Sequence, residues 1–265
     1  MKYAFMSFST PGQTLDEMLD LAKLHGYDGL EPRVSSNHKH GIEVEASAES
    51  RREARAKADD AGIELACVAT SCRYADPNTA QDNVELTKRC IELAADVGST
   101  RIRVFGGALG ADIDRAGGIT LVAECLGGLG LFAQEHGVAI CMETHDAWTD
   151  PKHVAAVVGR MVNPAIGVNW DVLHPVRTGA ATMEESFETL KPWIKHLHIH
   201  DAHMDGGGLA PMGDGDFDHR TVVKCLDSMG YDGYLSGEWI NWDDPFASHL
   251  PREVAKMREY EAELG

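Results

Sequence analysis

Gly137-Val138-Ala139-Ile140-Cys141-Met142-Glu143-Thr144-His145 carries the plan of this chain. A glycine closes a helical pattern, an apolar run of strand character follows, and the run ends on a carboxylate and an imidazole. The order recurs in Asn169-Trp170-Asp171-Val172-Leu173-His174, in His196-Leu197-His198-Ile199-His200-Asp201 and in Ser236-Gly237-Glu238-Trp239. These stretches recur about every thirty residues, each after a helical pattern, the spacing expected of strands joined by helical crossovers.

Extended outward, the pattern covers the chain. Strand-like runs fall at about 3–8, 28–32, 63–70, 100–105, 138–144, 166–171, 194–200 and 234–239. Helical patterns fall at about 13–25, 46–61, 80–96, 117–136, 151–161, 182–191, 218–229 and 250–263. Alternation at this spacing implies parallel strands with right-handed crossovers. Each strand is followed by its own helix, which predicts a closed α/β barrel of the (β/α)8 or TIM type rather than an open sheet. The length of 265 residues suits one such barrel, a fold of roughly 250 residues. No low-complexity tract or Pro-rich linker divides the chain, so residues 1–265 read as a single domain. Thr14 before Leu15-Asp16-Glu17 predicts a helix cap. Gly26, Gly62, Gly98, Gly137 and Gly230 stand where a helix must end in a left-handed turn.

In such a barrel the strand ends converge on one mouth, and the loops after the strands build the site. A lone glutamate at a strand end is ordinarily an ion-pair partner, and histidines alternating along a strand ordinarily serve the core or rim. Asp171 follows an apolar run, where a buried charge must be paired or coordinated. The joint placement of Glu143, Asp171, His198 and Glu238 on the last four strands points to a divalent cation with oxygen-rich, open coordination. His196, His198 and His200 share one strand face by parity. The glycine-rich stretch Asp201–Asp216 is either a surface loop or a lid.

Composition narrows the function. The apolar fraction is 43% and the net charge −18. Such a field repels polyphosphate and anionic membrane surfaces, which argues against nucleic acid or a membrane as partner. The cysteines, Cys67, Cys72, Cys90, Cys125, Cys141 and Cys225, form no C-x-x-C pair, and they read as reduced thiols of a cytoplasmic protein. The N-terminus shows no charged and apolar leader, and no run of 18 apolar residues is present to span a membrane.

At this point the residues resemble a family. Gly29-Leu30-Glu31, Glu143 with His145, Asp171-Val172-Leu173-His174, His196-Leu197-His198-Ile199-His200-Asp201, Gly213-Asp214-Gly215-Asp216-Phe217-Asp218 and Gly230 through Trp239 are similar to the xylose isomerase-like TIM barrels. Within them the chain looks like the sugar-phosphate isomerase/epimerase group, which includes ketose 3-epimerases and inosose isomerases and dehydratases. The resemblance implies one divalent metal ion held by Glu143, Asp171, His198 and Glu238. Mn²⁺ comes first, with Co²⁺, Mg²⁺ or Zn²⁺ as alternatives. It implies Glu143 and Glu238 as the two acid/base carboxylates that move a proton next to a carbonyl through an enediolate. It also implies a small carbohydrate as partner, in a monomer or a homo-oligomer, and His174 as a substrate contact near the cation.

Further substrate-binding candidates are His145, His200, Glu31, Arg103 and Trp239. Glu31 would face the mouth or pair with Arg33, and Arg103 would orient Glu143. Trp239, Trp242 and Phe105 would supply an apolar wall, and His38 and His40 would reach substrate or lie in solvent. Ketose 3-epimerases carry an arginine shortly after the strand-seven histidine. Asp201-Ala202-His203-Met204-Asp205 has none, which leaves room for a dehydratase or other lyase on a related keto sugar or inosose. An endonuclease IV-like phosphodiesterase needs additional histidines and cationic contacts to DNA, and Thr70-Ser71-Cys72 ends strand three without a histidine. A non-catalytic barrel is disfavoured because all four ligands and both carboxylates are present. Glycosidase chemistry also uses two carboxylates but needs no histidine or aspartate ligand beside them.

Overall fold

The computed structural model describes residues 1–264. Strands β1 (Lys2–Met6), β2 (Gly29–Glu31), β3 (Glu64–Leu65), β4 (Val68–Arg73), β5 (Arg101–Phe105), β6 (Ala139–Glu143), β7 (Ile166–Asp171), β8 (Ile194–Ile199) and β11 (Tyr234–Gly237) form one sheet. Its order is β3-β2-β1-β11-β8-β7-β6-β5-β4, and the pairings are parallel. First and last strands in the chain are therefore neighbours, as a closed barrel requires.

The sheet has nine strands because the third barrel strand, expected as one run, is in two pieces. Residues β3 pair with β2 and residues β4 with β5. The cause is Pro32, which has no N–H to give the ladder and ends β2 early. Beyond it the ring is closed by the parallel bridge Arg33↔Ala69, with Ala69 N donating to Pro32 O and Val34 N to Ala69 O.

Helices α1 (Leu15–His25), α2 (Ala48–Ala61), α3 (Ala80–Val97), α4 (Arg115–Glu135), α5 (Pro151–Val158), α7 (Met183–Leu190), α8 (His219–Ser228) and α9 (Phe246–Ala262) form the outer ring. Each touches the next, and α9 returns to α1. Local chemistry sets their ends. Thr14 and Glu17 form a reciprocal capping box at the start of α1, worth about 1 kcal/mol. Gly26, Gly62 and Gly98 end α1, α2 and α3 with φ of 77°, 69° and 84°, angles that cost glycine nothing. Helix α4 is by length and composition apolar enough to cross a membrane. Here it packs between α3 and α5 with Val122, Leu126 and Leu129 fully buried.

Two elements were not expected from the sequence. The short helix α6 (Leu173–Arg177) follows β7, and the glycine-rich stretch is pinned as a hairpin by β9 (Asp201–Ala202) pairing antiparallel with β10 (Leu209–Ala210). Asp201 holds the hairpin base, since its buried carboxylate accepts from Gly213 N (2.8 Å) and Gly215 N (3.2 Å).

Candidate metal centre

Each strand end delivers one side chain to the same point. Glu143 ends β6, Asp171 ends β7, His198 lies on β8 beside Asp171 in register, and Glu238 follows β11. One ligand atom from each of these four lies within 4.8 Å of the others, and all four residues are buried.

Asp171 is oriented by its backbone surroundings. Its Oδ1 accepts from the amides of Leu173 (2.9 Å) and His174 (3.0 Å), capping α6, and the Thr144 hydroxyl bonds to its main chain. That leaves Oδ2 buried without a hydrogen bond, 3.8 Å from His174 Nε2 and 3.9 Å from His200 Nδ1. Burial alone would raise the Asp171 carboxyl, but the histidines His174 and His200 hold it below its ordinary value.

Arg103 on β5 reaches across the barrel interior. Its Nε lies 3.1 Å from Glu143 Oε2 and its Nη2 3.9 Å from Glu238 Oε1. The first contact has ion-pair distance but not hydrogen-bond alignment, because Glu143 Oε2 has no hydrogen-bond partner. Nη1 of Arg103 is spent on Thr70 O at 2.6 Å, and the guanidinium lies 4.1 Å from the Phe105 ring centroid. His198 Nδ1 sits 2.8 Å from Glu143 Oε1 and 3.4 Å from Glu238 Oε2. Desolvation opposes its protonation, but Glu31, Glu238 and Glu143 together hold the imidazole well above its ordinary range. Glu238 is correspondingly held low, since His198 and Arg103 outweigh its burial.

These residues fit a divalent cation. Three carboxylates and one imidazole converge in a desolvated space, Asp171 Oδ2 has no hydrogen bond, and Glu143 Oε2 has only the unaligned ion-pair contact with Arg103. Such acceptors cost free energy unless something positive satisfies them.

Above the ligands opens a cleft of about 600 Å³, lined by His145, His174, His200 and Glu238 together with Arg177 and Trp242. The hairpin glycines Gly206, Gly207 and Gly208 form one edge. His145 is fixed by Asp146, Nδ1 to Oδ1 2.7 Å, and packs against Phe105 and His174. Asp146 takes a positive φ of 50° to make that contact, a conformation Asp tolerates better than most residues. Burial works against the charged form of His145, yet the Asp146 bond with Glu143 and Asp171 nearby raises it to about 9.

Three expected substrate residues do not line this cleft. Glu31 is buried against His196 (2.7 Å) and His198 (3.0 Å) rather than facing the mouth or pairing with Arg33. Arg103 lies behind the glutamates, 1% exposed. Trp239 is in the core, its ring 5.1 Å from His249. Adjacent residues of extended chain point to opposite sides, so a Glu238 that faces the mouth sends Trp239 away from it. Trp242, beyond that turn, is the cleft indole. His40 is likewise buried, and His38 bonds to Ser7 Oγ at 2.8 Å. Sequence reasoning missed Arg177, on α6; its only signal was its place in the segment after β7.

The family model for the xylose isomerase-like TIM barrel matches residues 19–260. A 3-dehydroshikimate dehydratase of Bacillus anthracis is 24% identical over 91% of this chain and 91% of its own. A D-tagatose 3-epimerase-like protein superposes with a TM-score of 0.79 at 19% identity, covering 100% of this chain and 99% of the other. The IOLI protein, whose structure holds a zinc atom, superposes with a TM-score of 0.78 at 17% identity over 100% of this chain and 98% of that one. With the family model spanning nearly its whole length, the chain belongs to the xylose isomerase-like TIM barrel family.

Proposed function

We propose that this protein, with 1–265 as one domain, is a divalent-metal-dependent isomerase or epimerase of a small keto sugar or polyol derivative. The supporting observation is the convergence of Glu143, Asp171, His198 and Glu238, the last of which also lines the cleft. These four would hold one cation; an oxygen-rich set makes Mn²⁺ our first choice over Co²⁺, Mg²⁺ and Zn²⁺. When bound, such an ion supplies Lewis acidity that lowers the energy of an enediolate. Glu143 and Glu238 would take and return the proton on the carbon next to the carbonyl. Arg103 lies against both carboxylates, 3.1 Å from Glu143 and 3.9 Å from Glu238, and keeps them in place. His145, His174 and His200 offer N–H groups to substrate hydroxyls, and Trp242 gives the ring an apolar face. The reduced thiols, all six free, agree with a cytoplasmic enzyme.

A dehydratase is the second reading, and one specific feature favours it. Arg177 is the one arginine or lysine lining the cleft, and its side chain's one hydrogen bond among the described residues is from Nη2 to Gly207 O at 3.2 Å. Its remaining donors are open to a substrate carboxylate. Both reactions begin by removing a proton next to a carbonyl. Incubating the Mn²⁺-loaded protein in D₂O with ketoses, inososes and 3-dehydroshikimate separates them. Deuterium next to the carbonyl supports the epimerase, loss of water supports the dehydratase, and neither outcome with any compound defeats the proposal.

A further inference from the structure

Glu31 is a buried carboxylate that the chemistry above leaves unused. It sits on β2, while His196 and His198 sit on β8, with β1 and β11 between these strands in the sheet. The three therefore meet across the barrel interior. All are 0% exposed. Oε2 of Glu31 faces His196 Nε2 at 2.7 Å, and Oε1 faces His198 Nε2 at 3.0 Å. Among the described residues no lysine or arginine forms an ion pair with this carboxylate. A charge so placed is tolerable only if both facing nitrogens carry hydrogen.

That requirement decides which nitrogen of His198 is left for a cation. With Nε2 committed as donor to Glu31, the free ring position is Nδ1. It is Nδ1 that lies 2.8 Å from Glu143 Oε1 and within the four-ligand cluster. A ring nitrogen held by a carboxylate fixes the tautomer, the ring plane and the basicity of the opposite nitrogen. We propose that Glu31 is a positioning residue: it holds the Nε2–H of His198 so that Nδ1 is the metal ligand, and His196 braces its second oxygen. The inference rests on the metal reading of the preceding subsection and adds how the single imidazole ligand is presented.

The same trio of Glu31, His196 and His198 has ligand atoms close enough to hold an ion of its own. The ring of His198 opposes this: with Nε2 facing Glu31 and Nδ1 facing Glu143, it would have to bridge two ions as an imidazolate. The trio is thus a support for one site rather than a second site.

The test begins with the wild-type chain carrying ¹⁵N-labelled histidine and loaded with Zn²⁺, a diamagnetic probe. The expected spectrum shows His198 with a slowly exchanging proton on Nε2 and a metal-shifted Nδ1. A proton on Nδ1 with Nε2 bound to metal overturns the inference. Zn²⁺ titration against a chromophoric chelator should show one equivalent per chain, and two equivalents also overturn it. Glu31→Gln should weaken Zn²⁺ about 10- to 100-fold and blur the His198 tautomer signal, with circular dichroism unchanged. His196→Gln, which leaves Glu31 in place, should fall between wild type and Glu31→Gln, and it serves if the latter does not fold. Unchanged affinity in a folded variant counts against Glu31 alone. Failure of the wild type to bind Zn²⁺, Mn²⁺ or Co²⁺ would defeat the proposed function together with this inference.

Discussion

Arg103 and Glu143 form an ion pair inside the barrel, Nε to Oε2 at 3.1 Å, with side-chain exposures of 1% and 0%. The pair brings one positive charge into a space that also holds Glu238 and Asp171. In the metal-free protein Arg103 and His198 are what make that concentration of carboxylates tolerable. Removing one partner of a buried pair leaves an uncompensated charge, at a cost of about 3–5 kcal/mol.

Arg103→Met should therefore destabilise the metal-free protein by that order, and Mn²⁺ should restore much of the loss, because the ion replaces the missing charge. Urea unfolding with and without Mn²⁺ measures both. Equal stability of variant and wild type in the absence of metal would refute the role given to Arg103.

Glu143→Gln and Glu238→Gln should each abolish measurable turnover, since a general acid or base is worth about 10²–10⁴-fold and each also loses a metal charge. His145→Asn should keep the metal, because His145 Nδ1 is turned to Asp146 rather than to the ligand cluster. Metal content after gel filtration, set beside the rate, separates the two effects. A Gln variant with full activity would contradict the two-carboxylate assignment.

The two C-terminal tryptophans give a paired prediction. Trp239→Ala should cost about 3–5 kcal/mol of stability, since Trp239 is 1% exposed and packed on His249. Trp242→Ala should leave stability nearly unchanged and raise KM, because Trp242 faces the cleft. Thermal melts and steady-state kinetics on both variants decide it. The reversed pattern would place the substrate on the other indole.

This contrast marks how far the sequence could be read. Apolar runs, helix-ending glycines and the carboxylate or histidine closing each of the last four runs are local signals. Gly26, Gly62, Gly98, Gly137 and Gly230 do all adopt positive φ. The convergence of Glu143, Asp171, His198 and Glu238 follows from strand order and parity. Partners across the barrel interior leave no local trace: Glu31 and His196 are 165 positions apart, and no periodicity links them. The split of the third strand depended on a proline in the second. Trp239 was legible by the same parity that placed Glu238, had it been applied one residue further.

His40 supplies a pH prediction away from the metal centre. Its Nε2 lies 3.2 Å from Arg33 O, and its Nδ1 accepts from Ile42 N–H at 3.0 Å, which only a neutral ring can do. Burial, against a small opposing pull from the Arg33 carbonyl, lowers it to about 4. The unfolded chain then binds the proton first, so stability falls as pH drops from about 6.5 toward 4. The loss from this residue between pH 7 and pH 5 is about 2 kcal/mol. His40→Gln should be less stable at pH 7 and should lack that part of the acid slope. An identical slope in urea titrations of variant and wild type would rule out His40 as its source.

The proposed chemistry requires four side chains to hold one ion. Crystals soaked in Mn²⁺ and measured at the manganese absorption edge would show it directly. The account predicts a single anomalous peak per chain, within about 2.0–2.4 Å of Glu143, Asp171, Glu238 and His198 Nδ1. A peak elsewhere, or none at saturating Mn²⁺, would contradict it.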